Sequence, residues 1–152
     1  LADGRTRGPG AVLEAVARRP PARRFHCTAC GACCRQPGFV GLGLSELRRI
    51  GRHLGLSVTE LRARYDIRWD PAGRTYELLA GPEGCPLLDG DQCSVHPVKP
   101  DQCAAFPYWP ELIEDAGAWR EAKVTCEGLD HPEGELLSLD EMRRRARRHR
   151  VG

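Results

Sequence analysis

The chain has little of what builds a large core. Of its 152 residues only three each are Phe, Trp and Tyr, methionine occurs once, and aromatics make up 6%. Apolar residues total 41% and mean hydropathy is -0.47, while 17 glycines and 12 prolines imply much loop. A loop-rich chain with so thin a core needs cross-links or metal to fold. No stretch approaches the roughly 18 apolar residues of a membrane span, so no transmembrane helix is expected. The N-terminus shows no charged-then-apolar signal sequence, and it begins with Leu1, which leaves the natural start upstream or at an alternative codon. With that reservation the chain reads as cytoplasmic. A phosphate loop, a nucleophile elbow and an isolated carboxylate pair are all missing, which excludes the commonest nucleotide, acyl-transfer and acid–base chemistries. No internal repeat is visible, so a solenoid is excluded too.

Neither sign of charge dominates. The net charge is +2, from 23 Lys and Arg against 21 Asp and Glu. Residues 1–24 hold six Arg against Asp3 and Glu14, and residues 142–152 hold six Arg and no acid. The body, 25–141, is acidic. An acidic body with basic ends does not suit a dedicated nucleic-acid binder. The run from Arg143 to Arg150 could touch RNA or an acidic partner; the plainer reading is a cationic helix C-terminus favoured by the helix dipole.

The one residue type in excess is cysteine. Cys27, Cys30, Cys33 and Cys34 fall within eight residues, and Cys85, Cys93, Cys103 and Cys126 follow singly. Gaps of two residues let sulfurs from one tight loop converge on a tetrahedral metal or an iron–sulfur cube. Cys27, Cys30 and Cys33 form the front half of a bacterial ferredoxin run, and Cys85-Pro86 is a remote Cys-Pro of the kind that completes one. Cys34 fits that analogy badly, because adjacent side chains diverge. Either the pair Cys33-Cys34 serves two neighbouring metals, or one of the two is free. Eight sulfurs also divide into two four-sulfur zinc sites, although the second half lacks the usual C-x-x-C knuckle. A disulfide scaffold needs an oxidising compartment and is disfavoured in a cytosolic chain; buried free thiols are the other plain alternative. His96, three residues after Cys93, is a possible extra ligand. His26 adjoins Cys27 and is a weaker candidate, and His53 and His131 read as surface residues.

Around the cysteines the pattern is mostly helical. Residues 11–19 suit a short amphipathic helix ended by Pro20 and Pro21. Leu44, Leu47, Ile50 and Leu54 share a helical face, with Ser45 as the cap and Gly55 as the stop. Ser57 to Glu60 is a capping box that opens a second helix through about Tyr65. A strand is expected over 74–79, and a hairpin over 85–95 turning at Asp89-Gly90. Pro97 to Cys103 reads as a loop with one helical turn. A helix over 111–124 turns Trp119 inward, and Ser138 to Glu141 opens a basic terminal helix. Glycines 31, 38 and 41 are expected to supply tight turns in the cysteine region.

The string Phe25-x-Cys27-x-x-Cys30-Gly31-x-Cys33-Cys34 resembles the YkgJ-type cysteine-cluster family, the CxxCxxCC zinc- or iron-chelating domains. The resemblance continues through Cys85-Pro86-Leu87-Leu88, Cys93, Lys99-Pro100-Asp101-Gln102-Cys103, Phe106-Pro107 and Cys126-Glu127-Gly128, so it spans about 25–130. His96 stands where that family usually has Tyr, and Lys99 and Ala104 stand where it usually has Arg. The resemblance implies metal binding. A related cluster in flagellin lysine methylases is regarded as an iron–sulfur site, but methyl transfer is not expected here.

The reading is a small α-rich (α+β) metal-stabilised domain, with several short helices, one short β-hairpin and long loops held by cysteine-ligated metal. Residues 1–24 form a basic tail with a short helix, 25–130 the metal-binding domain and 131–152 a basic C-terminal helix. The expected activity is chelation of zinc or iron, or of an iron–sulfur cluster, through all eight cysteines. An iron–sulfur electron carrier is the alternative, and a metal-dependent enzyme comes after it. Metal ions are the expected partners, with a docking protein as a further option; nucleic acid and membrane are not expected.

Overall fold

The computed structural model describes residues 22–148, and the expected helix over 11–19 lies outside them. Strand β1 (Arg23–Phe25) leads into the cysteine loop, which contains a short 3-10 turn at Ala32–Arg35. Strand β2 (Gly38–Leu42) follows, then helices α1 (Leu44–Leu54) and α2 (Val58–Arg64), and strands β3 (Arg68–Asp70) and β4 (Thr75–Ala80). The hairpin is β5 (Leu88–Asp89) and β6 (Gln92–Cys93). Helices α3 (Asp101–Ala105), α4 (Pro110–Ile113) and α5 (Ala116–Thr125) precede strand β7 (Glu135–Leu137) and helix α6 (Leu139–Arg148). The protein is therefore mixed α+β. It holds more sheet than the one strand over 74–79 and the hairpin expected from sequence: β2, β4 and β3 form an antiparallel sheet in that order, and β1 pairs with β7.

Strands β1, β2, β3 and β7 were not expected, and β2 is the longest of them. Its sequence, Gly38-Phe-Val-Gly-Leu, looks like turn because two of its five residues are glycine. Its pairing with β4 sets Val40 opposite Leu78 and Leu42 opposite Tyr76, and that places Leu42 and Leu78 in the core. Tertiary pairing thus outweighs local propensity here.

The helical pair forms as expected, with one change at its start. Helix α1 begins at Leu44 rather than after Ser45, and Gly43 is its N-cap. The cap is closed from inside the helix: Glu46 Oε2 accepts the Gly43 N–H at 2.7 Å. Its other oxygen, Oε1, accepts the N–H of Asp101 at 2.8 Å. One buried carboxylate thus satisfies orphan donors at the starts of two helices, α1 and α3. Arg49 adds bonds to the carbonyls of Val98 and Lys99 and to Asp101. Gly55, in the left-handed region at φ 71, ends α1, and the Leu56 N–H returns to Gly51 O at 2.8 Å. Ser57 and Glu60 make the expected reciprocal capping box on α2.

The expected long helix over 111–124 is two short ones. Asp115 interrupts it, since its carboxylate accepts the N–H groups of Gly117 and Ala118 and so starts α5 anew. Trp119 on α5 does face inward, fully buried, and its Nε1 donates to Asp130 at 3.2 Å. Ser138 Oγ accepts the Glu141 N–H at the start of α6. Three arginines of α6 pair with neighbours: Arg143 with Glu114, Arg144 with Glu141, Arg145 with Glu135.

Two small cores result. One joins Leu42, Leu47, Ile50, Leu61, Leu78 and Val95, with Cys85 and Cys93 packed against it. The other joins Tyr108, Ile113, Trp119, Leu129, Leu137 and Met142, with Phe25 and Cys126 at its border. Cysteines therefore edge both cores.

Two substitutions test this frame. Glu46→Ala strands two backbone donors and is expected to lower the unfolding free energy by about 2–4 kcal/mol in denaturant melts; a loss under about 0.5 kcal/mol would mean that water replaces the carboxylate. Trp119→Ala should cost about 3–5 kcal/mol in the same measurement, and Trp119→Phe, which keeps most of the packing but drops the bond to Asp130, only about 1 kcal/mol.

Candidate metal centre

The cysteine loop is held at both ends by chain far away in sequence. At its start, the His26 N–H bonds to Gly128 O at 3.0 Å, Thr28 Oγ1 donates to Glu127 Oε1 at 2.6 Å, and Phe25 bridges to Leu129. These contacts lay Cys27 beside the end of α5, where Cys126 sits. At its finish, the Cys85 N–H bonds to Cys34 O at 2.6 Å, and Arg35 pairs with Asp91 of the hairpin turn. These lay Cys34 beside Cys85 and Cys93. Between the two ends Gly31 takes φ 74 so that the 3-10 turn can begin, and a Cβ there would stand 2.3 Å from the Asp91 carbonyl oxygen. Only glycine fits that approach.

Cys103 arrives by a third route. It lies on α3, whose start is bonded to Glu46. Its neighbour Gln102 lies across the free edge of β2, accepting from Gly41 N at 3.1 Å and donating to Phe39 O at 3.2 Å. That amide takes the place of a further strand and fixes the helix carrying Cys103.

All eight cysteines line one cleft of about 930 Å³. Its aromatic wall is Phe25, Phe106, Tyr108 and Trp109, with Phe25 edge-on to Phe106 at 6.0 Å and Phe106 edge-on to Trp109 at 5.2 Å. Every cysteine is a free thiol. Among the described residues, no three His, Cys, Asp or Glu side chains converge closely enough to hold an ion as they stand. The eight thiols share one cleft without meeting at one point.

The thiols act on one another. The Cys34 S–H lies between Cys33 and Cys93, which draw on its proton, so its pKa is far above the usual thiol range. The same hydrogen bond lowers Cys33 to about 6, with help from the Lys99 ammonium. Cys93 is likewise lowered to about 6 by Cys34, by the Val95 N–H and by Lys99. Burial pushes Cys103 up to about 12, and Cys85, Cys33 and Cys93 add to the rise. Burial also raises Cys85 and Cys126, against backbone N–H groups that point at their sulfurs: Leu87 at Cys85, Gly128 and Leu129 at Cys126. Cys85, Cys93 and Cys126 thus each receive the N–H from two residues further on. Backbone N–H groups aimed at sulfur favour the thiolate, the form that binds metal.

The histidines separate. His96 is exposed and lines the same cleft, as does His53 at its rim. His26 and His131 stand together instead, ring centroids 5.1 Å apart, with His26 near Glu133. Reading the sequence missed Glu46, Arg49 and Gln102. Their roles are contacts between segments, and no local spacing signals them. Lys99 stood out only as a departure from Arg.

No solved structure matches the chain. The sequence pattern of one family, described as "CxxCxxCC: Putative zinc- or iron-chelating domain", matches residues 26–127. The match starts one residue before Cys27 and ends one after Cys126, so it takes in every cysteine that lines the cleft; the chain belongs to this zinc- or iron-chelating CxxCxxCC family.

Proposed function

We propose that the protein binds zinc or iron through its eight cysteines, and that the bound metal holds the two halves of the domain together without catalysis of its own. The observation that carries this reading is the gathering of eight free thiols, from separate stretches of chain, along one cleft. Thiolate donors suit zinc and iron and do not suit calcium or magnesium. The N–H groups aimed at Cys85, Cys93 and Cys126 support ligation, since they orient sulfur and favour its charged form. Free thiols in this number fit a reducing compartment, the cytoplasm. His96 could supply a further donor from the cleft wall.

Among the described residues no three donor side chains stand close enough to hold an ion, so binding would draw the cleft walls inward. The energy of that closure becomes folding energy. Chelation under reducing, anaerobic conditions is expected to lower Tm by more than about 10 °C, on the order of several kcal/mol for a domain of this size. It should also speed proteolysis at the cysteine loop. A Tm unchanged by complete metal removal would show that metal plays no structural part.

A second reading is an iron–sulfur electron carrier, favoured by the Cys27, Cys30, Cys33 spacing with Cys85-Pro86. Anaerobic purification followed by metal and acid-labile sulfide analysis separates the two. A brown protein with absorbance near roughly 400 nm that bleaches on reduction is expected only of the carrier; a colourless, sulfide-free protein containing zinc supports the first reading and ends the second.

A further inference from the structure

A metal centre built from distant segments needs each sulfur held near its place before the metal arrives. Resting on the metal-binding reading, we propose that Gln102 is a positioning residue for the centre: it ties helix α3 to strand β2 so that Cys103 stands ready as a ligand.

Helix α3 cannot hold itself. It has five residues, Asp101–Ala105, and its N-cap, Pro100, makes no side-chain bond to it. A helix so short is unstable alone, so its place is set by what grips it. The grip falls on the two residues before Cys103. Glu46 accepts the Asp101 N–H at 2.8 Å, and Arg49 donates to the Asp101 carboxylate at 3.2 Å. Trp109 Nε1 donates to the Gln102 carbonyl at 2.9 Å. The Gln102 side chain then reaches β2, where Oε1 accepts the Gly41 N–H at 3.1 Å and Nε2 donates to Phe39 O at 3.2 Å.

Those last two bonds call for an amide. The free edge of a strand offers an N–H and a C=O from alternate residues, and one side chain that meets both has to accept and donate. Ionised glutamate only accepts, and lysine only donates. An amide from anywhere in the chain could close this edge. The one that does so stands next to a cysteine of the cleft. Once its backbone is fixed, a cysteine sulfur has one torsion left, with three staggered positions. Metal–sulfur distances tolerate only about 0.2 Å, so a helix free to drift loses its ligand.

The test is titration of the reduced, metal-free protein with Co2+ under anaerobic conditions, reading affinity and the sulfur-to-cobalt absorbance at saturation. Cys103→Ser should lower that absorbance. Gln102→Ala is expected to weaken binding about 10–100-fold and to lower the absorbance toward that of Cys103→Ser. Gln102→Met, similar in length but able to make neither bond, should behave the same way. In a Cys103→Ser background Gln102→Ala should change cobalt affinity no further, because the ligand it places is gone. A role confined to overall stability would weaken binding equally in both backgrounds. Trp109→Phe removes only the indole donor and decides the matter if the Gln102 variants do not fold: roughly fivefold weaker binding is expected, again only with Cys103 present. Wild-type affinity and absorbance in the Gln102 variants overturn the proposal, as does an equal loss with and without Cys103. Undiminished absorbance in Cys103→Ser overturns it too, and leaves metal binding through the other cysteines standing. A wild type that takes up no cobalt overturns metal binding itself.

Discussion

The hydrogen bond from the Cys85 N–H to the Cys34 carbonyl, 2.6 Å long, is the joint on which the arrangement depends. It fastens the end of the cysteine loop to the hairpin, and the hairpin packs its cysteines on the first core. The opposite end of the loop is fastened to the border of the second core through Gly128 and Leu129. A single short stretch of chain therefore spans two cores, neither of which holds much apolar surface. Domains this thin gain from a cross-link between their parts. In the proposed reading metal supplies that link where the loop crosses, in the way a disulfide would in an oxidising compartment.

Electrostatics in the cleft point the same way. Five thiols, Cys33, Cys34, Cys85, Cys93 and Cys103, influence one another's protons. Cys34 is raised by Cys33 and Cys93, and Cys33 and Cys93 are lowered by Cys34, with Lys99 as a nearby cation that lowers both further. A divalent ion would take over from the Cys34 proton and neutralise more charge than it can. Lys99 would offset whatever negative charge the thiolates keep beyond that ion. An ammonium supplies that charge as a point, without the planar fork of an arginine.

Much of this was legible in the sequence, and what was not has a common cause. Capping residues and apolar spacing marked α1, α2 and the start of α6, because those signals act within a few residues. Asp89-Gly90 marked the hairpin for the same reason. Strand β2 was hidden by its glycines, since it exists only by pairing with β4. The break between α4 and α5 was hidden by Asp115, an ordinary helix-surface residue unless its carboxylate turns back to cap. Four cysteines were visible as candidate donors from their clustering, and the other four through the family resemblance. Which stretches of chain meet along the cleft was not visible, because that depends on bonds such as His26 to Gly128 that join distant segments.

The dipeptide Cys85-Pro86 shows how a motif can carry a second meaning. Beside Cys27, Cys30 and Cys33 it invites the ferredoxin comparison, with Cys85 as the remote ligand of that run. In the structure residues 85–88 form a turn closed by the Leu88 N–H on Cys85 O. Proline is favoured at the second position of such a turn because its φ is already set. Pro86 therefore has a local reason to follow Cys85, independent of any cluster. The turn aims the Leu87 N–H at the Cys85 sulfur and brings Cys85 to Cys93 and Cys34. The remote cysteine beside the start of the loop is Cys126, which is followed by glutamate. The Pro that follows Cys85 is therefore no sign by itself that Cys85 completes the run begun at Cys27.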